Sequence, residues 1–445
     1  MTILAIVLIL LTEAALVTLT FAKQRETAQW LRNRAVSRAV EFVLLLGVVL
    51  LPATFLKWRF TGALITLGVL LLIAALIWLI KRKKAAGRVK TGKVIGSVLL
   101  TVFMLGFALV PAVVFRNYNG LKTSGAYEVR SCSAILVDES RTDTFETDGS
   151  FREVPAHFYY PDAEGSFPLI VFSHGAFGYY QSNYSTYAEL ASNGYVVAAL
   201  DHPHHAFFSK DTDGRLIPVD AQFIGDAIDI ENGVKSEADV YTVTREWMQL
   251  RTDDMNFVID TIKTAKADGA LGSAWHTETA DEALSVLART DTDHIGLIGH
   301  SMGGATAEAL GRTRSDVGAV IILDGTMLSD LTGFENGVYT YNEAPYPVPV
   351  LDFGKKSDYD GSEQQYENVN DFVIRNARDG RKVLFDGVAH MDFTDLPLFS
   401  PFLASMLGSE KIDHAAFMNK VNGLVLNWFD YYLKGKGTLN IPAAD

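Results

Sequence analysis

The first 115 residues contain four apolar runs: Ile3 to Ala22, Phe42 to Leu56, Gly62 to Ile80 and Val94 to Phe115. Only Glu13 and a few threonines interrupt the first, and the others are uncharged. A helix on the surface of a soluble protein keeps a polar stripe, and these runs have almost none on any face. Crossing a bilayer takes about 17 to 25 such residues, so residues 1–115 are expected to form an all-α membrane region of four transmembrane helices. The second run is the shortest and reaches that length only by adding Val40 and Glu41 or Lys57 and Trp58. No Lys or Arg precedes the first run and no clear small-residue cleavage site ends it, which favours a retained helix over a signal peptide. Five basic residues lie between Lys23 and Arg38, two between Lys57 and Thr61, and seven between Lys81 and Lys93. Basic loops stay cytoplasmic, so the first and third loops are expected inside and both termini outside. That describes a multi-pass cell-membrane protein with an extracytoplasmic C-terminal part. Glu13 and Glu41 lie in or beside spans, where an ionisable group either serves a function or sits near headgroups.

The remaining chain has a different character. Net charge is +13 through Lys122 and −26 beyond it. So acidic a surface repels a phosphate backbone, which argues against nucleic acid as a partner. Cys132 is the single cysteine, so neither an intrachain disulfide nor a multi-cysteine metal site can form. Residues 116–125 (RNYNGLKTSG) read as a linker, and 126–445 as one globular catalytic domain. Strand-like stretches Tyr127 to Val137 and Arg152 to Tyr160 come first. Apolar strands follow at Leu169 to Phe172, Tyr195 to Leu200, Ile295 to Ile298, Val317 to Leu323, Val348 to Phe353 and Lys382 to Phe385. Helical segments separate most of them, the pattern of an α/β fold with a mostly parallel sheet and helices on both faces. One helix carries Val240, Val243, Trp247 and Leu250, then Met255, Val258 and Ile262; another runs from Ala415 to Leu433. Insertions at Ala206 to Ser236 and Asp268 to Asp293 are placed to shape an entrance.

The chemistry concentrates around Gly299-His300-Ser301-Met302-Gly303-Gly304, which lies between the strand Ile295 to Ile298 and a helix-prone Ala-rich segment. A strand–turn–helix of this kind strains the serine backbone and lifts its hydroxyl above the sheet edge, which makes Ser301 the candidate nucleophile. A serine hydroxyl needs a general base held by a carboxylate. His390, after the last strand, suits the base; the only later histidine is His414, near the start of the C-terminal helix. Two carboxylates end strands at permissible places, Asp324 and Asp358. Asp324 is favoured because an apolar strand precedes it and Gly325 follows, whereas Lys355 and Lys356 beside Asp358 suggest a solvated loop. Asp352 falls within its strand and ranks third. For the oxyanion, Met302 offers one N–H and the loop Ser173-His174-Gly175-Ala176-Phe177-Gly178 a second, with Ala176 favoured over Phe177. Asp201-His202-Pro203-His204-His205 has the residue types of a metal site. Adjacent His204 and His205 cannot readily face one ion, however, so an entrance or structural role is expected, with no metal and no cofactor.

These residues resemble the platelet-activating-factor acetylhydrolase family of α/β-hydrolases. The likeness lies in FPLIVFSHG (Phe167 to Gly175), LASNGYVVAA (Leu190 to Ala199), GHSMGGAT at the elbow, Leu323-Asp324-Gly325, and His390-Met391-Asp392-Phe393-Thr394-Asp395. It covers roughly Phe151 to Phe399. The resemblance implies an α/β-hydrolase fold and a metal-independent carboxylic-ester hydrolase that uses Ser301, Asp324 and His390 on short-acyl or oxidised phospholipids. The N-terminal spans depart from that family's pattern, and the elbow is also similar to bacterial cutinase-like polyester hydrolases. The expected protein is thus a membrane-tethered serine esterase with an ester or lipid substrate and a bilayer as partners. A cutinase-like esterase, an acyltransferase, and a transport or sensor protein with a non-catalytic hydrolase-like domain are the alternatives.

Overall fold

The computed structural model describes residues 1–23, 25–356 and 368–441. Its contacts divide the chain into two compact units, one made of Met1–Asn119 with Pro397–Met406, the other of the remaining described residues from Gly120 on.

The first unit contains α1 (Thr2–Ala22), α2 (Thr27–Leu50), α3 (Thr61–Lys81) and α4 (Thr91–Ala108). Among the described residues three segments, not the four expected, are long and apolar enough to cross a membrane: Thr2–Ala22, Lys57–Lys81 and Thr91–Ala108. The exception is α2. It ends at Leu50, ahead of Pro52, so the second apolar run is split between a helix end and a turn, while Arg32, Arg34 and Arg38 occupy the helix's first half. Those arginines belong to a helix instead of a loop, which removes most of the first term from the loop count behind the expected orientation. Apolar side chains lie both inside this unit and on its surface. Ala5, Ile9, Leu45, Leu67 and Leu105 pack inside, while Leu72, Phe103 and Phe107 are more than 70% exposed. Arg38 is buried among them, with Nη1 at 2.5 Å from both Glu13 and Glu41 and Nη2 donating to Thr101 Oγ1 at 2.9 Å. Burying a charge is tolerable only with such partners.

The second unit is built on one nine-stranded sheet. Its strands are β1 (Val129–Thr142), β2 (Phe151–Pro161), β3 (Phe167–Ser173), β4 (Val196–Leu200), β5 (Trp275–His276), β6 (Thr290–His300), β7 (Val317–Leu323), β8 (Val350–Lys355) and β9 (Gly380–Phe385), in the order β9-β8-β7-β6-β3-β4-β2-β1-β5. From β9 to β4 all pairings are parallel, and β2, β1 and β5 add antiparallel strands at one edge. The sheet is therefore mixed. Alternation along β6 shows why helices cover both faces. A side chain at Gly296 would strike Phe429 and Leu433 of the helix His414–Lys434. Its neighbours Ile295 and Leu297 point the other way, into a core shared with Met255, Val258 and Ile262 of the helix Glu237–Asp268. This arrangement brings the carboxyl ends of β3, β6, β7, β8 and β9 to one edge, the place where open α/β sheets bind ligands.

Candidate active site

At the end of β6 the chain turns directly into the helix Met302–Thr313, and Ser301 takes φ 55° and ψ −127°. That is backbone that a side-chain-bearing residue rarely adopts. The surrounding glycines make it possible. A Cβ on Gly299 would lie 2.1 Å from Gly303 O, one on Gly303 would lie 2.0 Å from Ser173 O, and one on Gly325 would lie 2.3 Å from Ser301 O. The Ser301 N–H donates to Leu323 O at 2.9 Å, which ties the turn to the end of β7. The next residue on that strand is Asp324, also at positive φ (50°), whose N–H donates to Phe353 O at 2.8 Å.

His390 opens a short 3-10 turn, His390–Phe393, after β9, and Asp392 fastens that turn by accepting from the Ala389 N–H at 2.8 Å. The His390 Nδ1 lies 2.6 Å from Asp324 Oδ2. With Nδ1 donating to the carboxylate, Nε2 is left as the basic nitrogen. Burial opposes ionisation of Asp324, but the His390 hydrogen bond, the His390 charge and Lys355 together hold it below the ordinary carboxylate range. Ser301, Met302, Asp324 and His390 line one cavity of about 340 Å³. Among the described residues no hydrogen bond joins Ser301 Oγ to His390, a distance that commonly tightens only once substrate is bound. Of the other carboxylates weighed for this role, Asp358 lies outside the described residues. Asp352 faces Asn370, which donates to its Oδ2 at 3.1 Å, and burial pushes it up to about 7.

Met302 opens its helix, so its N–H has no intrahelical acceptor, and it forms part of the cavity wall. Ala176 lies outside that wall. The loop meets the site through Gly175, where a Cβ would come within 3.1 Å of Ser301 Cβ. The first insertion does line the cavity, through Ala227 and Ile230 of the helix Ala221–Glu231, whereas no residue of the second does. Val240 and Trp247 add apolar wall from the helix Glu237–Asp268, and Leu331 and Tyr339 add more from the hairpin Leu331–Tyr341.

Two histidine-bearing segments singled out in the sequence take roles that it did not assign. The His300 ring lies 4.5 Å from that of His390, tilted by 36°, and its Nε2 lies 3.1 Å from the His390 carbonyl. Burial, then the neighbouring His390, lowers it to about 3, so it stays neutral and donates to that carbonyl. The Asp201 to His205 segment is absorbed by packing. His202 Nε2 lies 2.9 Å from Ser173 Oγ and its Nδ1 lies 3.0 Å from Asp254 Oδ2, while His205 stacks on Phe223 at 4.0 Å and His204 on Phe145 at 4.2 Å. The buried face of Glu237–Asp268 is also shifted from the expected one. It carries Thr244, Met248, Arg251 and Asp254 before Met255, leaving Val240, Val243, Trp247 and Leu250 only half-buried or so.

Chemically, a strained serine, an imidazole held by a carboxylate and a helix N–H without an intrahelical acceptor on one cavity can carry out acyl transfer. The profile of the family described as platelet-activating factor acetylhydrolase, isoform II, matches residues 154–435. A platelet-activating factor acetylhydrolase of Cavia porcellus is 25% identical over 300 residues, 63% of this chain and 61% of the relative. One of Canis lupus familiaris is 28% identical over 162 residues, 34% of each chain. The match thus spans less than two thirds of either relative. Among solved structures, a ferulic acid esterase from Streptomyces cinnamoneus superposes with a TM-score of 0.53 at 21% identity, covering 73% of this chain and 97% of the esterase. At that identity the likeness is one of fold.

Proposed function

The chain belongs to the platelet-activating factor acetylhydrolase, isoform II, family, and from that premise we propose that it is a membrane-tethered serine carboxylic-ester hydrolase acting on short-acyl or oxidised phospholipids. The observation that carries this reading is the His390–Asp324 pair at 2.6 Å, opening on the same cavity as the strained Ser301. Ser301 Oγ attacks the ester carbonyl as His390 Nε2 takes its proton, and the Met302 and Ala176 N–H groups hold the oxyanion. The tetrahedral intermediate collapses with loss of the alcohol, which takes the proton from His390. Water then attacks the acyl-enzyme with His390 again as base, releasing the acid and restoring Ser301. The apolar wall supplied by Ala227, Ile230 and Trp247 suits an acyl chain.

A chain-length series of aryl esters and phospholipids, run on the purified full chain and on Ser301→Ala, tests the reading. The variant should lose about 10⁶-fold in turnover, along with labelling by an organophosphate. Labelling that persists on another serine would mean that the elbow is not the reactive centre. Tethering is proposed through the three apolar helices, with the catalytic unit outside the cytoplasm. Protease added to intact cells should then reach that unit, and full protection until lysis would reverse the orientation.

A further inference from the structure

Arg251 sits in the middle of the helix Glu237–Asp268 and is completely buried. Burying a guanidinium is costly without a carboxylate to meet it, yet among the described residues none lies within ion-pair distance of Arg251. Asp254, one turn on, is already held by Arg152, Arg141 and His202. Arg251 spends its donors on the loop before Ala176. Nη1 donates to His174 O at 2.6 Å and Nη2 to Gly175 O at 3.3 Å, while Nε reaches His205 Nδ1 at 3.3 Å.

The Gly175 carbonyl gathers two more donors. His174 Nε2 accepts from the His202 N–H at 3.1 Å, so the ring carries its proton on Nδ1, which lies 2.6 Å from Gly175 O. The Gly178 N–H donates to the same oxygen at 3.1 Å, closing a turn with Phe177 at φ 59°. A trans peptide sets its C=O and N–H on opposite sides of one plane. A Gly175 carbonyl fixed toward Arg251 therefore fixes the Ala176 N–H away from it, and among the described residues that N–H has no acceptor. Gly175 itself lies against Ser301.

We infer that Arg251 is a positioning residue for the oxyanion-binding loop, turning the Ala176 N–H toward the carbonyl attacked by Ser301. This rests on the functional reading above, in which Ala176 is the second donor. A neutral side chain could pack this helix against the loop without burying a charge. The guanidinium differs in that it grips two successive carbonyls, and so sets a peptide plane.

The test uses the full-length protein in detergent, p-nitrophenyl acetate as substrate, and an alkyl trifluoromethyl ketone, whose hemiketal presents an oxyanion. Active sites are titrated with an organophosphate so that only folded enzyme is counted. Arg251→Met should lower the acylation rate constant by about 10²- to 10³-fold, the loss expected for one oxyanion donor, and weaken the ketone by a similar factor, with KM within about threefold. Arg251→Lys, which keeps one donor, should fall between this variant and the parent. If Arg251→Met does not fold, Arg251→Lys decides, and failure of both to fold overturns the inference because the residue then holds the domain instead of the loop. Unchanged ketone affinity, or a loss confined to KM, also overturns it. Ser301→Ala run in parallel separates the two readings: activity surviving there removes the functional reading and this inference together. Activity lost there, with ketone binding intact in Arg251→Met, removes the inference alone.

Discussion

Each unit buries an arginine, and the two solve the problem differently. In the helical unit, Arg38 lies between Glu13 and Glu41, two carboxylates from two helices, and its Nη2 donates to Thr101. In the sheet unit, Arg251 meets backbone carbonyls and a histidine that burial and the Arg251 charge keep neutral, at about 2. The surroundings explain the contrast. The helical bundle carries exposed leucines and phenylalanines and packs Arg38 among apolar side chains, where a buried charge is matched by full ionic partners. Inside the sheet unit a loop supplies oriented carbonyl dipoles, and the charge can be used to orient them in return.

The largest effect that would sharpen this contrast concerns a carboxylate used for chemistry. Asp324→Asn should lower ester turnover by about 10⁴-fold by leaving the His390 imidazole in the wrong tautomer, while Asp358→Asn should cost less than tenfold. The reverse result in folded variants would transfer the triad acid to the later strand. Next comes a charge used for structure. Arg38→Met strands Glu13 and Glu41 without their partner and should destabilise the helical unit by about 3 to 5 kcal/mol, read from denaturant titration of the detergent-solubilised chain. Combining it with Glu13→Gln and Glu41→Gln should recover most of that loss; no loss in the single variant would mean that water reaches Arg38.

A smaller effect concerns a buried carboxyl whose burial outweighs its partners Asn370 and Lys382. Burial raises Asp352 to about 7, against 3.8 for the unperturbed group. Between those values the unfolded chain gives up its proton and the folded chain keeps it. The folded state then binds more protons, and this residue's contribution to stability falls as pH rises through the window. Asp352→Asn removes that penalty, so its melting temperature should gain more at pH 7 than at pH 4, by an amount equivalent to at most about 4 kcal/mol. An equal gain at both pH values would show that the carboxyl does not titrate there.

Much of this molecule was legible in the linear chain because the governing physics is local. Apolar runs without a polar stripe identified a bilayer-suited region, and strand–Gly-x-Ser-x-Gly–helix placed Ser301 on a turn that its neighbouring glycines alone permit. The order of strands brought Asp324 and His390 to the same sheet edge. Other features required the fold. Whether α2 could pass as a fourth apolar helix depended on where it stopped and on Arg38 finding Glu13 across the bundle. The 2.6 Å contact between Asp324 and His390 depended on the fold bringing the end of one strand to a loop 66 residues later. Arg251 went unremarked in the sequence, and the helix buries it because the carbonyls that receive it come from a loop 76 and 77 residues away. Sequence by itself determined the periodicities and the turn chemistry, which act over a few residues. Tertiary structure alone decided which buried charge meets which partner, since that energy arises only once distant segments are brought together away from water.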